Sequence, residues 1–342
     1  MKAKIVALFN HKGGVSKTTT TYNIGWKLAK MGKKVLLVDG DPQCNLSSLL
    51  LGANFYTYFE DDNTKHKNIK DAVKVAFEGK PFPIQAIDCF SPSQNQNLFL
   101  IPGHMDLAEY EAQLSFALNS GNMLTTLQNL PGSFYELIRK CCEKYDIDYV
   151  FVDMNPGLSA INQVFFMMCD GFIVPTNPDP FSLMALSTLE KVLPRWKNWA
   201  IQSREYFIDS SYALPEAEMK FMGEIIQRFS LRNGQASNPY TMKINDIKEK
   251  IETNLVSTFE RNNMLIDITE LKDENVLSDY CLGEIPEFGA LLQKANKLEI
   301  PVFELNETNM GEAGTVLTQM LKKKDVFNEL FEKIAAIITR ML

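Results

Sequence analysis

Two lysines, two adjacent glycines and a run of hydroxyl residues stand together near the start of the chain, in the stretch NHKGGVSKTT at residues 10–19. Glycines expose backbone N–H groups that bind anions, while a lysine and a neighbouring hydroxyl suit a phosphate and its magnesium ion. A phosphate-binding loop of the form G-x-x-x-x-G-K-[ST] would have glycine at positions 11 and 16, where this chain has His11 and Ser16. The stretch therefore predicts phosphate binding, with two substitutions that need a structural explanation.

The context of this loop is a strand-to-helix turn, because it lies between the apolar run KIVALF and the helical pattern TTTTYNIGWKLAK. At such a turn the N–H groups of Gly13 and Gly14 and the N-terminus of the helix point at one anion. We expect Lys17 to reach the β- and γ-phosphates of a nucleotide and the Thr18 hydroxyl to ligate Mg²⁺. A serine at position 16 costs about 1–2 kcal/mol if the position needs a positive φ. We expect Ser16 instead to enter the helix at negative φ, where serine costs little.

Carboxylates follow two other apolar runs of the chain. KVLLVDGDPQ contains Asp39 and Asp41, and YVFVDMNPG contains Asp153. The carboxyl ends of parallel strands form the edge at which α/β folds bind ligands. A carboxylate such as Asp153 can hold Mg²⁺ there, directly or through a water. One aspartate at a strand end is usually a turn residue, but three such segments in one chain favour a shared nucleotide site.

Short apolar runs alternate with helical patterns along the whole chain. Runs that are apolar on both faces are typical of parallel strands covered by helices on both sides, so the sequence predicts a doubly wound, mainly parallel α/β fold. The predicted strands are KIVALF, KVLLVD, LFLIP, DYVFVD, GFIVPT, FMGEIIQ and IPVFEL. We expect residues 1–342 to form one domain, with irregular insertions near 54–68 and 200–218 and a C-terminal helix at 325–341.

The length, composition and net charge of the chain limit the classes of protein to which it can belong. With 342 residues, 45% of them hydrophobic, the chain can build a packed core, and a formal net charge of −7 argues against a protein that coats nucleic acid over its whole surface. Six cysteines without a C-x-x-C pair are typical of reduced thiols.

No stretch resembles a signal peptide or a membrane span, so we expect a cytoplasmic protein. The first predicted strand begins within five residues of Met1, so we expect no helix-turn-helix ahead of it.

The stretches KGGVSKTT, VLLVDGDPQ, YVFVDMNPG and GFIVPTNPDPFSLMAL together resemble the ATPases of the ParA/MinD group, whose phosphate-binding loop deviates from the usual Walker A pattern. The resemblance is to the ParA/Soj-like partition ATPases in particular. It covers most of the chain, since LFLIPGHMDLAEYEAQLS and PEFGALLQKANKLEIPVFEL also look like that group. It implies a P-loop ATPase that hydrolyses ATP slowly with Mg²⁺. Ser16 and the sequence DMNPG depart from the group's usual pattern without removing a charged group.

The resemblance also implies roles for individual residues. Lys12 corresponds to the early lysine of the loop, which reaches across a dimer to the nucleotide of the other subunit. With it, Lys17 and Asp41 are the implied catalytic residues, and Asp41 positions the attacking water. The implied nucleotide ligands are Lys12, Gly13, Gly14, Val15, Ser16, Lys17, Thr18, Thr19, Asn177 and Pro178, the last two at the adenine base. Mg²⁺ is assigned to Thr18 and, through a water, to Asp153, with Asp41 as a further candidate. Asp39 is left open between a structural and a direct role.

The implied function is DNA partition. ATP closes a homodimer, the dimer binds nonspecific DNA on the nucleoid, and a ParB-like partner stimulates hydrolysis. A patch of basic residues would hold the DNA. The candidates are Arg195, Lys197, Arg204, Arg228, Arg232, Lys243, Lys248, Lys250 and the run from Lys322 to Lys324.

Two alternatives remain open at this point. A MinD-like positioning ATPase would use the amphipathic tail DVFNELFEKIAAIITRML to reach a membrane. The polar face of that tail mixes acidic and basic residues, which favours a helix docked on the core over a membrane helix. The third candidate is a nucleotide-bound scaffold without hydrolysis, should Ser16 disable turnover.

Overall fold

A sheet of seven parallel strands forms the centre of the protein, in the order β3-β2-β4-β1-β5-β6-β9. The computed structural model describes residues 3–120, 127–232 and 235–342. The strands of this sheet are β1 (Lys4–Leu8), β2 (Val35–Gly40), β3 (Leu98–Ile101), β4 (Tyr149–Met154), β5 (Gly171–Thr176), β6 (Lys220–Phe229) and β9 (Cys281–Pro286). A short antiparallel pair, β7 (Leu231–Arg232) and β8 (Gln235–Ala236), follows β6.

Helices cover both faces of the sheet, as the doubly wound prediction requires. The α-helices are α1 (Lys17–Lys30), α2 (Asn45–Leu51), α3 (Phe55–Glu60), α4 (Ile69–Phe77), α5 (Glu111–Ser120), α6 (Leu130–Tyr145), α7 (Ala160–Met167), α8 (Pro180–Ser203), α9 (Asn238–Lys250), α10 (Ser257–Arg261), α11 (Thr269–Asp273), α12 (Ala290–Lys297), α13 (Glu307–Met310) and α14 (Gly314–Met341). Strand residues alternate between two apolar cores, one on each face. The predicted fold class is confirmed.

The central strands are buried over their whole length, which is why they appear in the sequence as continuous apolar runs. Strands β2 and β4 pair so that Asp39 lies opposite Asp153. Gly40 follows Asp39, and a side chain there would lie 3.0 Å from the carbonyl oxygen of Asp153 and 2.5 Å from the Phe165 ring. The glycine therefore lets β2 and β4 stay close at the edge where their carboxylates meet.

One strand prediction was wrong. IPVFEL is not a strand: Val302–Glu304 is a 3₁₀ turn whose side chains are apolar because Val302, Phe303 and Leu305 pack into the core. The seventh strand is instead β9, with the sequence CLGEIP, which no predicted strand included. It lies at the edge of the sheet and is only partly buried, so its sequence lacks a long apolar run.

The C-terminal helix is longer than predicted, and one predicted insertion contains a helix. The helix α14 begins at Gly314, eleven residues before the predicted start at 325. Its side chains Phe327, Phe331, Ile334, Ile337 and Ile338 have no exposed surface. The predicted docking of this helix on the core is thereby confirmed.

The stretch 54–68 is not wholly irregular, since it contains α3. Among the described residues, no helix combines the length and apolarity needed to cross a membrane.

Candidate active site

The glycine-rich loop connects β1 to α1, at the carboxyl edge of the sheet, as the sequence predicts. The prediction for Ser16 was wrong: it has φ 58° and ψ 30°, in the left-handed region. Serine therefore occupies a conformation that favours glycine, at a cost of about 1–2 kcal/mol. Its side chain makes no capping bond, but its carbonyl oxygen accepts from the Thr20 backbone N–H at 3.0 Å and from the Thr20 hydroxyl at 2.8 Å. These bonds hold the strained residue at the start of α1.

Lys17 is the first residue of α1, and its side chain turns back to contact the backbone of the phosphate-binding loop. Its Nζ donates to the carbonyl oxygens of Asn10 at 2.9 Å and Lys12 at 3.2 Å. Burial lowers the pKa of Lys17, while the carboxylates of Asp153 and Asp41 act in the opposite direction. A buried ammonium that is held by two loop carbonyl oxygens is placed to bind a phosphate that enters the loop.

Lys12 has a different environment from Lys17. Its Nζ pairs with the Asp179 carboxylate and donates to the Ser182 hydroxyl at 3.2 Å. Asp179 also caps α8, because it accepts the Ser182 backbone N–H at 2.8 Å. The Lys12 ammonium is thus held at the start of α8, and Lys12 is absent from the lining of the cavity that its own loop encloses.

Asp39, near the end of β2, and Asp41, just after that strand, make different contacts. Asp39 is fully buried and accepts the backbone N–H of Ser47 at 2.8 Å and the Ser47 hydroxyl at 2.6 Å. Burial raises its pKa to about 6, and the bonds from Ser47 oppose that rise. Asp39 therefore holds the first turn of α2 against the end of β2, a contact that fits the structural role. Asp41 lines the cavity and uses one oxygen to accept the Gln43 backbone N–H at 2.9 Å.

Asp153 ends β4 as a buried carboxylate, and neither of its oxygens makes a hydrogen bond of ordinary geometry with the described residues. Burial raises the pKa of Asp153 well above its usual range, and the nearby Asp39 charge adds to that rise. The Thr18 hydroxyl and the Lys17 ammonium act in the opposite direction. An unpaired buried carboxylate beside a hydroxyl fits a Mg²⁺ that also uses phosphate and water oxygens. Within the described ranges, no group of three or more His, Cys, Asp or Glu side chains could hold a metal by itself.

A cavity of about 670 Å³ opens from the loop and extends to the ends of β6 and β9. At the loop end it is lined by residues from Gly13 to Thr19 and by Asp41. At the far end it is lined by the segment 285–289, and Gln227 and Arg228, which contact the loop, also line it. Arg228 donates to the Gly14 carbonyl oxygen at 2.9 Å, and buried Gln227 donates to that of Val15 at 3.2 Å. Ile285 and Phe288 give the far end of the cavity apolar walls, against which the base of a nucleotide can pack.

Asn177 and Pro178, which we predict to contact the base, are not among the residues that line this cavity. The Asn177 side chain donates to the Gly14 carbonyl oxygen at 3.0 Å. Sequence reasoning missed Gln227 and named Arg228 only as a DNA candidate. Their position near the carboxyl end of β6, at the ligand-binding edge, was the available signal.

Comparison with known proteins shows the family to which the chain belongs. A family model described as an AAA domain, AAA_31, matches residues 3–203, more than half of the chain. The chain belongs to this family. Relatives of the AAA-domain protein include ParA family and Soj proteins, the group that its motifs resemble.

Two curated relatives are similar to the AAA-domain protein over more than half of its length. It is 28% identical over 270 residues to the virulence plasmid ParA family protein pGP5-D of Chlamydia trachomatis, which covers 79% of this chain and 84% of the relative. It is 29% identical over 189 residues to the sporulation initiation inhibitor protein Soj of Bacillus subtilis, which covers 54% of this chain and 63% of Soj. The chain spans about half, 54%, of the length of the curated relatives that it matches at 34% identity.

Among solved structures, the ATP complex of a variant of the McdA protein from Cyanothece superposes with a TM-score of 0.58. The match covers 96% of each chain at 19% identity, so it supports the fold of the AAA-domain protein.

Most of the basic residues predicted to bind DNA have partners within the AAA-domain protein. Lys197 donates to the Asn263 carbonyl oxygen at 2.6 Å, Lys248 pairs with Glu284 at 2.7 Å, and Lys250 pairs with Glu190 at 3.6 Å. Arg204 bonds the Ala217 carbonyl oxygen, Lys324 pairs with Asp325, and Arg228 belongs to the cavity. The Arg232 side chain lies outside the described part. Arg195, Lys243 and Lys322 are exposed cations without a partner among the described residues.

Proposed function

We propose that this protein is a DNA-partition ATPase of the ParA type, in which ATP and Mg²⁺ close a homodimer that binds DNA without sequence preference. The observation that carries the proposal is the separation of the two loop lysines. Lys17 lies under the loop beside Asp153 and Asp41, whereas Lys12 is held at the start of α8, away from its own cavity. A lysine so placed is free to act on a neighbouring subunit once it leaves Asp179.

In this proposal the residues of the loop and the strand ends hold the substrate. Backbone N–H groups from Gly13 to Thr19 surround the phosphates and Lys17 neutralises their charge. Asp41 orients the attacking water. Thr18 and Asp153 would hold Mg²⁺, which when bound offsets negative charge on the phosphates. The base lies between Arg228 and Phe288, at the far end of the cavity.

The partner subunit supplies the remaining cation. Lys12 crosses the dimer and stabilises the charge that develops on the transferred phosphoryl group. Arg195 and Lys243 are exposed and unpaired among the described residues, so they are the proposed DNA contacts on α8 and α9. A ParB-like partner stimulates hydrolysis, after which the dimer separates and leaves the nucleoid for the cytoplasm.

A subunit-mixing experiment tests the role of Lys12. The variants Lys12→Ala and Asp41→Ala should each lack ATPase activity. When they are mixed, a heterodimer contains one complete site: that of the Lys12→Ala subunit, which keeps its own Asp41 and receives Lys12 from the other subunit. Recovery of ATPase activity on mixing is therefore the expected result. If Lys12 acts within its own subunit, neither site of the heterodimer is complete and mixing restores nothing.

DNA binding is tested separately by gel retardation of a random duplex with ATP, with ADP and without nucleotide, at several salt concentrations. We expect retardation with ATP alone and a steep loss of binding as salt increases. The variant Arg195→Gln, Lys243→Gln should lose retardation while keeping ATP-dependent dimerisation. Retardation that does not depend on the nucleotide would contradict the proposed switch.

A further inference from the structure

A second cavity, of about 450 Å³, lies between the end of β6 and the helix α14. We call it the α14 groove and define it by the apolar residues Phe229, Leu231, Val326 and Phe327 and the lysines Lys322 and Lys323. Phe229 and Phe327 are buried and form its floor. Leu231 is 45% exposed and Val326 is 52% exposed, so within the described part of the chain nothing covers these walls. Cavities of this size with apolar walls and few polar groups are typical of sites for small ligands.

The charged groups of the α14 groove are two lysines and one glutamate. Lys323 is half-buried, and its Nζ has no hydrogen bond or ion pair within the described residues; it lies 5.9 Å from the centre of the Phe327 ring. Burial lowers the pKa of Lys323, and the nearby Glu287 carboxylate acts in the opposite direction. Lys322 is exposed and also has no partner there. By contrast, the adjacent Lys324 pairs with Asp325 at 3.0 Å. Two lysines and one glutamate leave the groove with an excess of positive charge over an apolar floor.

We propose that the α14 groove binds a small anionic amphiphile, in which an apolar chain or ring packs on Phe229 and Phe327 and an acidic head group pairs with Lys322 and Lys323. This goes beyond the proposed ATPase function. The apolar floor distinguishes such a ligand from a DNA backbone, because phosphate contacts of DNA need cations but no apolar cavity. A neutral apolar ligand would leave the two lysines unpaired, and a cationic ligand would be repelled by them.

The groove and the nucleotide cavity share a wall. Pro286, Glu287 and Gly289 line both of them. Phe288, between these residues, lines the nucleotide cavity, and its ring lies 4.5 Å from that of Phe327 in the floor of the groove. A ligand that shifts Phe327 or this segment therefore alters the base end of the nucleotide cavity. Binding at the two cavities is expected to be coupled, and the coupling is reciprocal by thermodynamic linkage.

Isothermal titration calorimetry on the full chain without nucleotide tests the proposal, with decanoate as the probe and decyltrimethylammonium as its cationic counterpart. We expect decanoate to bind and the cationic probe not to bind. The variant Val326→Asp places an anion in the groove and should abolish decanoate binding. Val316→Asp is the matched control, because Val316 is 51% exposed on the same helix outside the groove, and should bind decanoate as the wild type does. The double variant Lys322→Gln, Lys323→Gln should weaken binding by about tenfold or more, as expected for the loss of a charge-assisted contact.

The proposal would be overturned by no binding of decanoate, by equal binding of the cationic probe, or by unchanged binding of decanoate to Val326→Asp. Displacement of decanoate by a DNA duplex would assign the lysines to DNA and would also overturn it. Because Lys322 and Val326 are exposed, the variants should fold, and their thermal unfolding is measured alongside. The titration uses no nucleotide, so failure of the proposed ATPase function would leave its outcome unaffected.

Discussion

Lys12 and Asp179 form an ion pair between the phosphate-binding loop and the start of α8, across 167 residues of sequence. This contact holds the Lys12 ammonium within its own subunit. Both side chains are partly exposed, at 19% and 31%, so the pair can open without unfolding the helix. A lysine that acts on a second subunit must first leave this partner, so the pair opposes dimer formation.

Replacing Asp179 with asparagine should release Lys12. Asparagine caps a helix as well as aspartate does, so Asp179→Asn removes the charge while keeping the bond to the Ser182 backbone. We expect ATP-dependent dimerisation at lower protein concentration than in the wild type, measured by sedimentation velocity. Asp209→Asn, at an exposed position, is the control and should behave as the wild type. Dimerisation that is unchanged or weaker in Asp179→Asn would contradict the restraining role of the pair.

Ser16 should limit stability because it has a positive φ. Ser16→Gly removes the strain but adds flexibility to the unfolded chain, so the free energy of unfolding should rise by about 0.5–1 kcal/mol. Urea unfolding monitored by circular dichroism measures the change. Ser91→Gly, at an exposed position without positive φ, should instead lower the free energy of unfolding. Equal effects of the two substitutions would show that the left-handed conformation does not persist in solution.

Lys197 should make stability depend on alkaline pH. Burial lowers the pKa of Lys197 to about 8 in the folded protein, below its ordinary value of 10.5. Between these two values the unfolded chain binds the extra proton, so the free energy of unfolding should rise as pH increases from 8 to 10.5. The stability gained is lost again as pH falls from 10.5 to 8, and below 8 the charge of Lys197 adds no further change because both states are protonated. Lys197→Met should flatten this rise in urea unfolding, whereas Lys191→Met, at an exposed position of the same helix, should retain it.

The C-terminal helix should contribute strongly to stability. Phe331 has no exposed surface, and its ring lies 5.7 Å from that of Phe303. Phe331→Ala should therefore lower the free energy of unfolding by about 3–5 kcal/mol. Glu329→Ala, an exposed change on the same helix, should have little effect. A small loss in Phe331→Ala, together with binding of the wild type to liposomes, would favour a detachable membrane helix over the docked one.

Much of the site could be predicted from short stretches of sequence. Gly13, Gly14, Lys17, Asp41 and Asp153 lie at one edge of the sheet, as their positions after apolar runs indicate. The reason is that burial on both faces of a parallel sheet requires uninterrupted apolar strands, and the ends of those strands point to the same edge. Periodicity likewise predicted the amphipathic C-terminal helix, although not the eleven residues by which it extends further toward the N-terminus.

Other features were decided only by the tertiary structure. The edge strand β9 was missed because partial burial needs no long apolar run, and the 3₁₀ turn at Val302–Glu304 looked like a strand because its side chains fill the core. The positive φ of Ser16 depends on the path that joins β1 to α1, which the residue type alone opposes. The Lys12–Asp179 pair and the Arg228 contact with the loop connect segments far apart in the chain. Local patterns specify which elements form, but only packing determines which distant side chains meet.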